Sequence, residues 1–203
     1  MLGWLNTMTV NNADVTRPLD GGPSFALANR VTRLVWNVVW LVLASWTPAR
    51  LYRWRRFLLQ LFGAKLALRT DVRGSARVWY PPHLTMDDRS ILAEGVNCYN
   101  MAPVYIKSGA IVSQRAHLCA GTHDIDDDNF QLQAKPIVIG SNCWIAAEAF
   151  VGPGVTIGDG AVLGARAVAF RDLQPWTVYV GNPAMPKRTR GSNSRGSAEK
   201  DLT

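Results

Sequence analysis

The stretch IGSNCWIAAEAFVGPGVTIGDGAVLGARAVAFR, from Ile139 to Arg171, returns an aliphatic or small residue every six positions: Ile139, Ile145, Val151, Ile157, Leu163 and Ala169. Most are followed by Gly or Ala, as in Ile139-Gly140, Ile145-Ala146, Val151-Gly152 and Leu163-Gly164. A period of six fits neither the 3.6 of an amphipathic helix nor the alternation of a half-buried strand. It marks a parallel β-helix, in which each hexapeptide supplies one short strand and a corner. Three hexads close a triangular coil, so inward residues stack on their equivalents in the next coil, and the small neighbour lets the backbone bend at the corner without a Cβ clash.

Run backwards, the period persists with interruptions. Ile106, Val112 and Leu118 form one coil, Met86, Leu92 and Cys98 the one before, and Leu66, Val72 and Val78 open the series, which makes about five coils in all. Successive coils are 20 residues apart from Leu66 to Met86, 20 to Ile106, 33 to Ile139 and 18 to Ile157. Relative to the uninterrupted 18, the insertions are 2, 2 and 15 residues, and all fall at one corner of the prism. The longest, 124–138, is expected to leave the coil as a loop, and a long loop on a rigid scaffold is more often functional than idle. The fold class is therefore all-β, with extra segments at both ends.

At 203 residues the chain is long enough for one well-buried core with an appendage. Its three cysteines, Cys98, Cys119 and Cys143, suit a reducing compartment and hence a cytoplasmic protein, since a disulfide framework favours an even count. The net charge of +7 is uneven, with Arg50, Arg53, Arg55 and Arg56 in one cluster and Lys187, Arg188, Arg190, Arg195 and Lys200 in another. No groove-reading motif accompanies them, so nucleic acid is not the expected partner. Phosphorylated small ligands or an anionic membrane surface account for both clusters.

The segment before the coils is a different text. Leu34 to Trp46 is nearly all apolar, and a second run, Leu51 to Phe62, ends at Gly63, so two helices are expected on either side of Pro48. The first run is too short to span a bilayer and lacks the flanks of a signal peptide. Basic residues interleaved with Trp and Leu suit an interfacial helix at the inner face of a membrane. The competing role is to cap the open end of the solenoid. Both can hold at once.

The three histidines are His83, His117 and His123. As a metal site they are poorly spaced: His117 and His123 are six residues apart, on neighbouring corners, and could share an ion only across a subunit boundary. His123 alone sits at the base of the long insertion, where a neutral imidazole is suited to act as a general base near pH 7.

Gly121-Thr122-His123, the segments Lys135 to Ala147 and Val151 to Ala165, and Val180-Gly181-Asn182-Pro183-Ala184 together resemble the hexapeptide-repeat acyltransferases. With Tyr99-Asn100-Met101-Ala102-Pro103 and His123-Asp124 the chain is most similar to the sugar O-acetyltransferases of bacterial exopolysaccharide synthesis, the colanic acid acetyltransferase type. The resemblance implies a left-handed β-helix, acetyl-CoA as acyl donor, no metal, a homotrimer with active sites between chains, and a sugar or lipid-linked oligosaccharide as acceptor. It implies that His123 is the catalytic base, that Trp144 lines the acyl site, and that the main-chain N–H of Ala147 stabilises the oxyanion. It further implies CoA contacts at Ala165 and Arg166, with Lys187 and Arg188 meeting the nucleotide phosphates. Asn100 and Asp124 are the candidates for acceptor binding, and Asp124 could also orient His123. Other readings kept open are another small hydroxylated acceptor, a metal enzyme resembling the gamma-class carbonic anhydrases, and an idle trimeric scaffold. The chain thus divides into a flexible 1–24, a helical 25–65, a β-helix 66–175, a CoA-proximal 176–190 and a disordered tail 191–203.

Overall fold

The inward residues anticipated from the period pair directly in three parallel sheets, one for each face of the prism. The computed structural model describes residues 24–191, so the flexible and disordered ends expected at 1–24 and 191–203 lie, but for Ser24 and Gly191, outside the described residues. On the first face Leu66, Met86, Ile106, Ile139 and Ile157 are successive register partners. On the second the row is Val72, Leu92, Val112, Ile145, Leu163 and Tyr179. On the third it is Val78, Cys98, Leu118, Val151 and Ala169. All are buried and form one continuous core. A bridge from Ile157 to Leu173 and the strand Thr177–Val180 open a sixth coil, on whose edge Met185–Thr189 pairs antiparallel.

The corners have their own register. Residues 89 and 95, 109 and 115, and then 142, 148, 154, 160 and 166 take left-handed backbone, again every sixth position. Gly95, Gly109, Gly154 and Gly160 adopt it without strain, whereas Arg89, Arg115, Asn142, Glu148 and Arg166 adopt it with side chains attached. The small residues that follow the ladder positions therefore do not make the bend, contrary to the expectation above. They clear the neighbouring coil: a Cβ on Gly140 would lie 2.7 Å from the Ile157 carbonyl oxygen, and one on Gly158 would lie 2.6 Å from the Pro175 nitrogen.

The two short insertions form the turns at Pro81–His83 and around Asn100 to Pro103. The long one is a β-hairpin, not a loop over 124–138. Gly121–His123 pairs antiparallel with Leu132–Ala134, with His123 opposite Leu132, and the chain has rejoined the first face by Ile137.

Helix α1 (Leu27–Leu43) and helix α2 (Tyr52–Leu61), the latter followed by left-handed Gly63, cover the first coil. Their donors answer a specific need. Within the coils, the N–H after each ladder residue donates to the ladder carbonyl one coil on, as from Ala67 to Met86, Arg73 to Leu92 and Trp79 to Cys98. The first coil's own ladder carbonyls thus have no coil beneath them, and a buried unpaired carbonyl is costly. Gln60 Nε2 donates to Leu66 O at 3.0 Å, Arg55 Nε to Val72 O at 2.6 Å, and Trp36 Nε1 to Val78 O at 2.7 Å. Trp40 Nε1 serves the adjacent corner at Gly74 O. Arg55 is fully buried and also donates to Thr47, Pro48 and Ala49, while Asp71 lies 3.5 Å away. Burial pulls its pKa below the usual value, and Asp71 partly restores it.

Candidate active site

His123 projects from the hairpin, which leaves the prism at the corner between the third and first faces. Its Nδ1 is 2.8 Å from the carbonyl oxygen of Phe130, and its ring stacks on the Phe130 ring at 4.5 Å with 13° between planes. A carbonyl oxygen only accepts, so Nδ1 carries a proton, and in the neutral form of the ring the lone pair is on Nε2. The hairpin therefore presents the imidazole with Nε2 turned away from the backbone that holds it. The turn that supplies this carbonyl is local: Asp127 Oδ1 accepts from Asn129 N at 2.7 Å, and Phe130 N donates to Asp127 O.

Asp124 does not orient the imidazole. Its carboxylate accepts from Asp126 N and from Gln133 Nε2, so it stabilises the hairpin while the Phe130 carbonyl does the orienting. Asn100, the other candidate for acceptor binding, belongs to a corner of the prism. It is fully buried, its Nδ2 donates to Tyr80 O at 2.8 Å, and its Oδ1 accepts from Tyr80 N at 3.0 Å. Both ends of the amide are occupied in closing the corner, and His83 Nδ1 donates to the Asn100 carbonyl from the same cluster. His117 lies on the third face, 3.2 Å from Asn97 Nδ2 and edge-on to Phe150. Desolvation holds its pKa below the ordinary histidine value. The three histidines thus have separate partners, and among the described residues no group of three or more His, Cys, Asp or Glu is arranged to hold a metal ion.

Trp144 opens the second-face strand of the fourth coil, half exposed, and its Nε1 donates to Ser113 Oγ at 2.8 Å. It points outward because its neighbour Ile145 points in. Its register partners run to Val162, then Val178, then Arg188 on the antiparallel edge strand. Trp144 and Arg188 therefore share one outward row, three strand spacings or about 14 Å apart. Lys187 is the extra residue of the bulge beside Arg188.

Ala147 lies at the far end of the same face, at the corner leading to the third. Among the described residues its N–H has no acceptor, which fits an amide free to bind an oxyanion. Directly above, Arg166 N donates to Ala147 O, so Ala165 and Arg166 continue that corner. The Arg166 side chain is tied to Glu148, Nε to Oε2 at 2.6 Å, and Arg115 approaches the other carboxylate oxygen at 3.5 Å. The hydrogen bond from Arg166 holds the Glu148 pKa below the usual range.

One chain consequently brings together Trp144 and Arg188 along one face, and Ala147, Ala165 and Arg166 along one corner. It holds His123 at a different corner. Phe130, Ser113 and Glu148, which hold His123, Trp144 and Arg166 in place, were not singled out from the sequence. Only Phe130 left a trace there, as the one aromatic in an acidic run.

The coils are hexapeptide repeats, and the chain belongs to the hexapeptide-repeat acetyltransferases. The family model described as bacterial transferase hexapeptide (six repeats) matches residues 136–169. The chain is 42% identical over 166 residues to WcaF of Escherichia coli, named for colanic acid biosynthesis, covering 82% of this chain and 91% of that protein. Among solved structures it is similar to a maltose O-acetyltransferase from Clostridium difficile, with TM-score 0.73 and 22% identity over 82% of this chain and 90% of the other. It is also similar to a hexapeptide-repeat acetyltransferase of Vibrio cholerae complexed with acetyl-CoA, with TM-score 0.70 and 20% identity over 84% and 93%. At these identities the structures speak for the fold, and the relationship to WcaF speaks for an acetyltransferase.

Proposed function

We propose that this acetyltransferase moves an acetyl group from acetyl-CoA to a hydroxyl of a sugar or lipid-linked oligosaccharide during exopolysaccharide assembly, and that it works as a homotrimer. The observation that carries this reading is the fixed tautomer of His123. Nε2 takes the proton of the acceptor hydroxyl as its oxygen attacks the thioester carbonyl carbon. The Ala147 N–H receives the developing oxyanion. Collapse then breaks the C–S bond, and the proton passes from Nε2 to the leaving sulfur, giving the acetyl ester and free CoA thiol. The outward row from Trp144 to Arg188 supports donor binding along the second face, with Lys187 and Arg188 available to the nucleotide phosphates. The exopolysaccharide role is supported by the relationship to WcaF, named for colanic acid biosynthesis, and the sugar acceptor by the motif resemblance to sugar O-acetyltransferases.

A panel of sugar and lipid-linked acceptors incubated with labelled acetyl-CoA tests the proposal, with thiol release as the second readout. His123→Ala should lower turnover by about 10²- to 10⁴-fold while leaving the circular dichroism spectrum and solution mass unchanged. A variant that turns over like the wild type would remove His123 from the chemistry.

A further inference from the structure

Helix α1 has two apolar stripes on opposite sides, and the cap uses only one. The inner stripe is Trp36, Trp40 and Ala44, buried against the first coil. The outer stripe is Leu27, Val31, Leu34, Val35, Val38, Leu41 and Val42, all 47% exposed or more. At about 100° per residue, Val38 lies nearly opposite Trp36 and Trp40. Because the core already has its layer of this helix, the outer stripe has no packing role among the described residues. The patch continues onto α2, where Trp54 Nε1 donates to Leu43 O and Trp54 stacks on Phe57, and both rings are exposed together with Leu61 and Trp46.

The charge around this patch has one sign. From Ser24 to Ala64 the chain holds six arginines and no Asp or Glu. Arg55 is committed to the cap, whereas Arg30, Arg50 and Arg53 are exposed beside the apolar surface. A second copy of the chain applied to this face would set arginine against arginine with no carboxylate from the segment to compensate. Among the described residues no helix is long and apolar enough to cross a membrane. An exposed apolar stripe edged by arginine and exposed Trp is instead the pattern of a helix lying in a lipid–water interface.

We propose that the outer face of α1, with Trp46, Trp54 and Phe57, seats the prism on an anionic phospholipid bilayer, so that the helices serve as cap on one side and membrane foot on the other. The proposal is independent of the acetyl-transfer reading, since its test reads binding and not turnover. Full-length protein should co-sediment with vesicles of phosphatidylglycerol in phosphatidylcholine. It should bind pure phosphatidylcholine vesicles at least tenfold more weakly, and lose most of that preference at ~0.5 M salt, where surface charges are screened beyond a few ångströms. Arg50→Gln with Arg53→Gln should lower the partition coefficient on anionic vesicles about 25-fold. The combined change Leu34→Asp, Val38→Asp and Leu41→Asp should reduce it about a hundredfold or more, with urea midpoint and solution mass unchanged because Trp36, Trp40 and Arg55 keep their partners. Three outcomes would overturn the proposal. They are a wild-type protein that stays in the supernatant with both vesicles, an arginine-pair variant that binds as tightly as the wild type, and an aspartate variant whose solution mass drops, which would make a second copy the occupant.

Discussion

The His123 ring is held twice by one residue. Phe130 offers its main-chain carbonyl to Nδ1 and its ring face to the imidazole, from a left-handed backbone with φ of 51° that few residues other than glycine adopt. The tautomer depends on the carbonyl, which every substitution keeps, whereas the ring supplies stacking of about 0.5–1.5 kcal/mol. Phe130→Ala should therefore slow turnover by up to about tenfold and leave the pH–rate profile where it was. A profile that moves with this substitution would mean that the ring governs the protonation state. This division also explains what could be read at the level of residues. His123 was legible because an imidazole at the base of an insertion is conspicuous, but a main-chain acceptor leaves no mark in residue type. Asn100 is hard to read from sequence for a related reason: an amide that closes a corner and an amide that binds a sugar look the same until burial is known.

Among the elements, the coils were legible in detail because one inward residue in six must be apolar wherever the backbone repeats, and the insertions could be located by counting. The hairpin was not legible, since its antiparallel pairing of Gly121 with Ala134 and of His123 with Leu132 follows no period. The two helices were visible as apolar runs. What they do for the solenoid was not, because that depends on which carbonyls the first coil leaves unpaired. Those of Leu66, Val72 and Val78 take their donors from Gln60, Arg55 and Trp36, one for each face. The cap is thus a set of side-chain hydrogen bonds standing in for a missing coil, and it should behave energetically as such. Trp36→Phe retains most of the buried ring but strands the Val78 carbonyl, and should destabilise the fold by about 1–3 kcal/mol, measured as a lower urea midpoint with an unchanged slope. A loss well below this range would mean that water reaches the Val78 carbonyl and that the indole N–H is dispensable.

For the whole molecule, the placement of the site residues on different corners becomes informative in the proposed homotrimer. A cyclic trimer has three equivalent interfaces, each formed by one side of one chain and the other side of the next. His123 stands on the corner between the third and first faces, and Trp144 opens the second face, so a site shared in that trimer would draw its histidine from one chain and its tryptophan from the neighbour. Consider an equal mixture of His123→Ala and Trp144→Ala chains, unfolded and refolded together so that trimers assemble at random. An interface is intact when its histidine side comes from a Trp144→Ala chain and its tryptophan side from a His123→Ala chain. Each condition is met half the time, so about a quarter of the sites should be restored, although neither variant is active alone. At other mixing ratios the restored fraction should follow the product of the two chain fractions and peak at equal mixing. If both residues instead served a site within one chain, no chain in the mixture would carry the two together, and activity would stay at the level of the separate variants at every ratio.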